Sequence, residues 1–431
     1  MIVQRNVDHS SLASASEGPF PSPSTERGFA RAASPGSVAS ERPQVGLLTA
    51  GRDKPYALGL TAALVEQGIS LDYIGSDGVS GPELNSPLVN FLNFRDQQAD
   101  VGLLRKISRV LDYYRKLASY AATAHPKILH ILWNNKFEWF DRTFLTLFYK
   151  ALGKRLVFTA HNVNAGKRDG NDSWFNRLTL RIQYRLMDHI FVHTEMMKQE
   201  LLNEFGIREK KVSVIPFGIN NTLPTTSLTP AEARRELKVG LADKVVLFFG
   251  NIAPYKGLEY LVGALAELAA SCSDYRLIIA GRPKGAEAYW KGIQSAITDA
   301  GLNGRVIERI EYVPDEKVEV FFKAADVLVI PYTHVFQSGV LFLGYSFGLP
   351  VIASDVGSLK EGIVEERTGL VCRPCDASDL AMKINAYFSS ELYAQLDQRR
   401  QDIREFANER HSWTKVGETT QRVYRELLAA K

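Results

Sequence analysis

The feature that most constrains this chain is an alternation that runs along it twice: strand-length apolar stretches ending in turn residues, separated by longer stretches of helical periodicity. Short continuous apolar runs suit strands buried on both faces, and the helices between them supply the crossovers a parallel sheet needs. The first series opens at residues 44–51, continues into a helical pattern over 56–67, and returns in the apolar runs 128–133, 155–160 and 189–192. Amphipathic stretches at 103–121 and 174–187 lie between them. The second series has strands expected at 244–249, 275–280, 306–310, 327–330 and 350–353, with helices at 257–270, 286–300, 315–324 and 340–347. Each series implies an α/β domain with a parallel sheet covered by helices, so two Rossmann-like domains in tandem are expected.

The 431 residues exceed the size at which one core stops growing, which agrees with two domains. The apolar run 212–218 is followed by the polar, Pro/Thr-rich stretch 220–230, where the boundary is placed. The expected division is a tail over 1–42, an N-terminal domain over 43–220, a C-terminal domain over 221–410, and a last helix over 411–431 that returns to the first domain. Residues 1–42 are rich in Ser, Ala, Pro and Gly without apolar periodicity, so they are expected to be disordered.

A net charge of +4 over this length lacks the concentrated basic surface of a nucleic-acid binder. No stretch has the continuous apolar length of a membrane span, and the start lacks the basic-then-apolar order of a secretory signal. A cytoplasmic protein is expected. Cys372 and Cys375 form a C-x-x-C with only Cys272 besides, too few for a structural zinc site of about four ligands, so ordinary thiols and no bound metal are expected.

Three loops of the second series carry chemistry. Gln337-Ser338-Gly339-Val340 follows a strand and opens a helix, where unpaired amides favour an anion such as a diphosphate. Ser338 serving as an ordinary N-cap is the alternative. The loop Gly250-Asn251-Ile252-Ala253-Pro254-Tyr255-Lys256-Gly257 brings Lys256 to another helix start, as a phosphate counter-charge or as a solvated lysine. Gly281-Arg282 leaves a third strand. In the first series, one strand ends at His161-Asn162 and another at Gly51-Arg52. His161 could bond a sugar hydroxyl or merely close its strand end.

These residues together resemble the family 4 retaining glycosyltransferases over about 45–424. The resemblance is carried by Thr159-Ala160-His161, Val214-Ile215-Pro216-Phe217-Gly218, the 249–257 loop, Ala325-Asp326-Val327 through Tyr332, Gly348-Leu349-Pro350-Val351-Ile352-Ala353-Ser354, the Glu361 to Thr368-Gly369 region and Ser412-Trp413. It implies a GT-B fold, two Rossmann-like domains facing each other across a cleft with C-terminal helices crossing back. It further implies transfer of a sugar, with retention and without a metal, from a nucleoside-diphosphate-sugar to a glycan or lipid-linked acceptor, in surface polysaccharide or glycolipid assembly. On this reading His161, Lys256 and Arg282 are catalytic. Gly250, Asn251, Tyr255, Gly281, Gln337, Ser338, Gly339, Val340 and Glu361 bind the donor, and Gly51, Arg52 and Asn162 face the acceptor.

The chain also departs from that family. The two glutamates that usually flank the donor helix fall at Val335 and Leu343, and the Gln-Ser-Gly sequence resembles a divergent branch. The usual loop arginine is replaced at Asn251 or Ala253, a loss for which Arg282 is a candidate replacement. A binding protein that has lost catalysis and a GT-B epimerase are the alternative functions. For the acceptor side, residues 43–220 hold 23 Lys and Arg against 17 Asp and Glu, with Trp133, Trp139 and Trp174 interleaved. That composition suits either an anionic membrane surface, with the protein peripheral to it, or a mixed solvated face.

Overall fold

Seven parallel strands form the first sheet: β1 (Val45–Leu48), β2 (Leu71–Ser76), β3 (Val89–Arg95), β4 (Ile128–Ile131), β5 (Arg155–Thr159), β6 (His189–Val192) and β7 (Val212–Val214), in the order β3-β2-β1-β4-β5-β6-β7. Six more form the second: β8 (Lys244–Phe249), β9 (Tyr275–Ala280), β10 (Val306–Arg309), β11 (Val327–Ile330), β12 (Val351–Ser354) and β13 (Gly369–Cys372), in the order β10-β9-β8-β11-β12-β13. This computed structural model describes residues 44–430 except 52, 97–101, 169, 171, 219–224, 284 and 336. The expected tail, Arg52 and most of the expected linker lie outside the described residues.

Both sheets are buried as their apolar runs require; all four residues of β1, β4, β6, β11 and β12 are buried. The second domain has one continuous core around Val246, Leu328 and Ile352. The first has one core on each sheet face, around Leu129 and Leu156 on one and Val45 and Phe191 on the other. A Thr229–Glu232 capping box starts the helix Pro230–Leu237 that leads into β8.

The strand order reverses between β1 and β4 in one sheet and between β8 and β11 in the other. Crevices beyond the carboxyl ends of such strand pairs are where open α/β sheets take ligands. The last helix, Trp413–Ala429, begins at a Ser412 side-chain cap and places Val416, Val423 and Tyr424 in the first domain's core. Trp413 sits where a Cβ on either Gly59 or Gly218 would lie 2.3 Å from its ring, so two bare backbones form its seat. The chain therefore has the GT-B architecture, with its C-terminal helix crossing back.

Candidate functional site

At the β8–β11 switch, three loops converge on the expected lysine. Gly281 has φ 144°, and a Cβ there would lie 1.8 Å from the Gly250 carbonyl oxygen, so the β9 and β8 exits touch backbone to backbone. A Cβ on Gly250 would stand 3.9 Å from Lys256 Nζ and 3.6 Å from Val340 Cγ2. Lys256 ends the 3-10 turn Pro254–Lys256 and is buried, with Nζ 4.1 Å from the Tyr332 ring centre and 5.7 Å from that of Tyr255. Its ammonium donates to Tyr332 Oη. It is not a solvated lysine.

The helix Gly339–Ser346 starts beside this group. Ser338 makes no side-chain cap; its hydroxyl lies 3.4 Å from Tyr332 Oη instead. The N-cap alternative for Ser338 is therefore overturned, because the hydroxyl is drawn toward the phenol that carries Lys256. The opening amides of the helix remain without a side-chain acceptor, next to a buried cation.

At the facing edge of the first sheet, His161 follows β5. Its ring stacks on Trp133 at 4.4 Å and meets the edge of Tyr56 at 4.5 Å. His161 Nδ1 lies 3.1 Å from His193 Nε2, and His193 Nδ1 lies 3.4 Å from the Ile215 carbonyl. Burial holds both imidazoles below their ordinary range, His193 at about 4, so both are neutral near pH 7. The carbonyl can only accept, which makes His193 Nδ1 the donor and Nε2 the acceptor, and leaves His161 donating from Nδ1. His161 Nε2 is thereby a bare acceptor, and it is buried without a hydrogen-bond partner. Such an atom calls for a donor, such as a ligand hydroxyl. Asn162 lines the same cavity of about 110 Å³.

Between the sheets lies a cavity of about 360 Å³ lined by His193, Thr194, Gln337, Ser338, Glu361 and His411 among others. Ser358 Oγ donates to Thr194 Oγ1 at 2.8 Å, tying one sheet's exit loops to the other's. Phe217 stacks on Phe342 at 5.4 Å, and its ring would lie 3.9 Å from a Cβ on Gly339. Gln337 Oε1 is buried with no partner. Partial burial, then repulsion from Glu195, pushes the Glu361 carboxyl above its ordinary value.

The structure thus brings Gly250, Tyr255, Lys256, Gly281, Gln337, Ser338, Gly339, Val340 and Glu361 to the second domain's side of the crevice, and His161 and Asn162 to the other. Gly51 sits at the β1 exit. Asn251 is exposed. Arg282 is exposed as well, its guanidinium 5.5 Å over the Tyr312 ring. Sequence reasoning missed His193, Thr194, Ser358 and His411. His193-Thr194 ends β6 as His161-Asn162 ends β5, and that repeated strand-exit histidine was the available signal. The buried Val335 and half-buried Leu343 supply no carboxylate where the family's glutamates would stand. All three cysteines are free thiols.

Comparison with known proteins agrees with this geometry. Residues 55–223 match the model described as Glycosyltransferase Family 4, and residues 243–390 the model described as Glycosyl transferases group 1. A D-inositol 3-phosphate glycosyltransferase of Corynebacterium glutamicum is 30% identical over 50% of this chain and 54% of its own length. An uncharacterized glycosyltransferase of Methanocaldococcus jannaschii is 25% identical over 86% of this chain and 93% of its own. The chain spans about half the length of the first of these relatives. Among solved structures, sucrose-phosphate synthase from Thermosynechococcus elongatus has a TM-score of 0.72 at 20% identity, covering 91% of this chain and 100% of that one. Anabaena HepE in complex with UDP-glucose has a TM-score of 0.67 at 18% identity, covering 90% and 99%.

Proposed function

We propose, on the premise that this chain belongs to the glycosyltransferases of the GT-B superfamily, that it transfers a sugar with retention from a nucleoside-diphosphate-sugar to a hydroxyl of a glycan or lipid-linked acceptor, in surface polysaccharide or glycolipid assembly. The observation that carries the reading is the buried Lys256, held by Tyr332 beside the uncapped start of the Gly339–Ser346 helix. A cation and aligned amides fixed before the ligand arrives suit the charge that develops on a departing diphosphate.

The other residues then have defined tasks. His161 Nε2 accepts from a hydroxyl of the transferred sugar, and the Glu361 carboxylate accepts from another. Gln337 Oε1, buried and unpaired, accepts from a donor hydroxyl that the glutamates absent at Val335 and Leu343 would otherwise bind. Arg282 adds a second charge on the diphosphate if donor binding draws it from Tyr312. Gly51 and Asn162 face the acceptor, which approaches from the first domain. No bound metal or other cofactor is part of this scheme, and the protein works in the cytoplasm at the surface of an anionic membrane. Among the described residues, no helix is long and apolar enough to cross one.

Thermal melts with UDP, GDP, ADP and dTDP and their sugars test the reading, since a ligand of the native state raises the midpoint by mass action. UDP comes first because HepE, of the same fold, holds it. Stabilisation by one nucleotide, followed by transfer from its sugar, is the expected result. Stabilisation without transfer to any acceptor would favour a binding protein that has lost catalysis.

A further inference from the structure

A third cavity, of about 460 Å³, opens on the first domain away from the Lys256 group. Its cations come from three elements: Arg95 from the end of β3, Lys106 and Arg109 from the helix Leu103–Thr123, and Lys136 from the loop after β4. Among the described residues that line it, one carboxylate, Asp96, is present, and it pairs with Arg109 at 2.7 Å. Arg95 donates to the Ala50 carbonyl in the β1 exit loop, so the cavity adjoins the loop that ends at Gly51. Four cations against one anion, on the carboxyl edge of the acceptor-side sheet, form a place for a negatively charged group.

The surroundings of this cavity are apolar and uncovered. Of eighteen exposed large apolar side chains in the described residues, twelve fall between Leu104 and Leu178, so the exposure is concentrated on this part of the molecule. Phe137 directly follows Lys136 and stacks on Tyr114, a cavity residue, at 6.4 Å. Trp139 and Phe144 continue the patch, their rings 6.3 Å apart, and Ile107 and Leu111 flank the cations on the Leu103–Thr123 helix. A contiguous apolar surface rimmed by cations fits one kind of ligand, an anionic head on a long apolar tail.

We infer that this cavity binds the phosphate of a lipid-linked acceptor and that the Phe137–Phe144 shelf receives the lipid's chain. The inference rests on the transferase reading and names the class of its acceptor. A phosphate seated between Arg95 and Lys136 would leave the sugar beyond it directed along the β1 exit toward the cleft. The apolar chain would lie over the shelf at a membrane surface.

The test is co-sedimentation of the full chain with phosphatidylcholine vesicles carrying a polyprenyl phosphate, the uncharged polyprenol, or phosphatidylglycerol. Binding is expected to the polyprenyl phosphate vesicles well above both others, and Lys106→Ala with Lys136→Ala should weaken it roughly thirtyfold, at the usual worth of two cations near an anionic surface. Phe144→Ser should weaken it while leaving any effect of inorganic phosphate on the thermal midpoint unchanged. Equal binding to phosphatidylglycerol, or a double variant that binds normally, would overturn the site. So would protection by a soluble sugar phosphate with no vesicle binding, or self-association through the shelf seen by light scattering. A nucleotide that still stabilises the protein in those cases would leave the transferase reading standing and remove only this acceptor.

Discussion

His193 Nε2 lies 3.1 Å from His161 Nδ1, and through that contact the Ile215 carbonyl fixes which nitrogen of His161 is left to meet a ligand. His193 is thus a positioning residue for His161. A His193→Leu variant frees the tautomer of His161 and should lower kcat/KM for transfer roughly twofold to tenfold, the usual value of one neutral hydrogen bond. Thermal stabilisation by the nucleotide diphosphate, which lacks the transferred sugar, should survive. If His161→Ala impairs transfer and His193→Leu does not, the relay has no part in it.

The same burial that keeps these imidazoles neutral makes the fold sensitive to acid. Burial lowers His130 to about 3 and His189, His193 and His411 to about 4, and holds His161 well below its ordinary value. An unfolded histidine takes a proton near its ordinary value of about 6.5. Folded pKa values below the unfolded one mean that full stability is present above about pH 6.5 and is lost as pH falls toward about 4. Each buried imidazole adds about 1.4 kcal/mol per pH unit to that loss. Urea midpoints followed from neutral pH downward should show it, and a midpoint that holds steady to pH 5 would refute it.

Lys256→Met separates charge from packing. The thioether chain can occupy the space between Tyr255 and Tyr332, so stability should change little, whereas transfer should fall by about 2–4 kcal/mol in activation free energy, or some 30-fold to 1,000-fold. Single-turnover rates with the donor identified by thermal melts would measure this. A rate within threefold of the parent chain would place the diphosphate elsewhere.

Gln337 carries a smaller and more specific expectation. Its Oε1 is buried without a partner, so a ligand hydroxyl there would restore one hydrogen bond. Gln337→Leu should raise the donor's KM roughly tenfold or less, within the range of one such bond, without a matching change in kcat. Isothermal titration with the nucleotide and with its sugar would show which hydroxyl is read.

Much of this was legible in the sequence, and the physical reason is the alternation itself. The buried strands β1, β4, β5, β6, β8, β9, β11 and β12 are largely apolar runs, so they stood out, while the half-buried β10, with the sequence VIER, is legible only from its place in the alternation. β2, with the sequence LDYIGS broken by Asp72 and Gly75, β3, with the sequence VNFLNFR and mixed burial at the sheet edge, and β13, with glycine at its start, did not. Lys256 and Ser338 were found because glycines and a strand exit mark a ligand loop, but the phenol of Tyr332 that joins them is a tertiary fact. His193 and Ser358 belong to the seam between two sheets, and the basic cavity draws on residues up to 41 positions apart in sequence, from Arg95 to Lys136. No local pattern reports such meetings.

The contact between Gly281 and Gly250 gives the sharpest structural prediction, because a second glycine of positive φ, with open space around it, serves as its control. At Gly281 a Cβ would fall 1.8 Å from the Gly250 oxygen, a distance no rotation relieves, so Gly281→Ala must push the β8 and β9 exits apart. The Lys256 turn follows Gly250 and would move with it. At Gly285, φ is 73° and no atom lies within 4 Å of the added carbon, so Gly285→Ala should cost only the left-handed backbone preference, about 1 kcal/mol. Gly281→Ala should therefore lower the melting midpoint by more than Gly285→Ala and abolish stabilisation by the nucleotide, while Gly285→Ala keeps it. Equal nucleotide stabilisation in both variants would show that the approach of these two loops is not what builds the donor site.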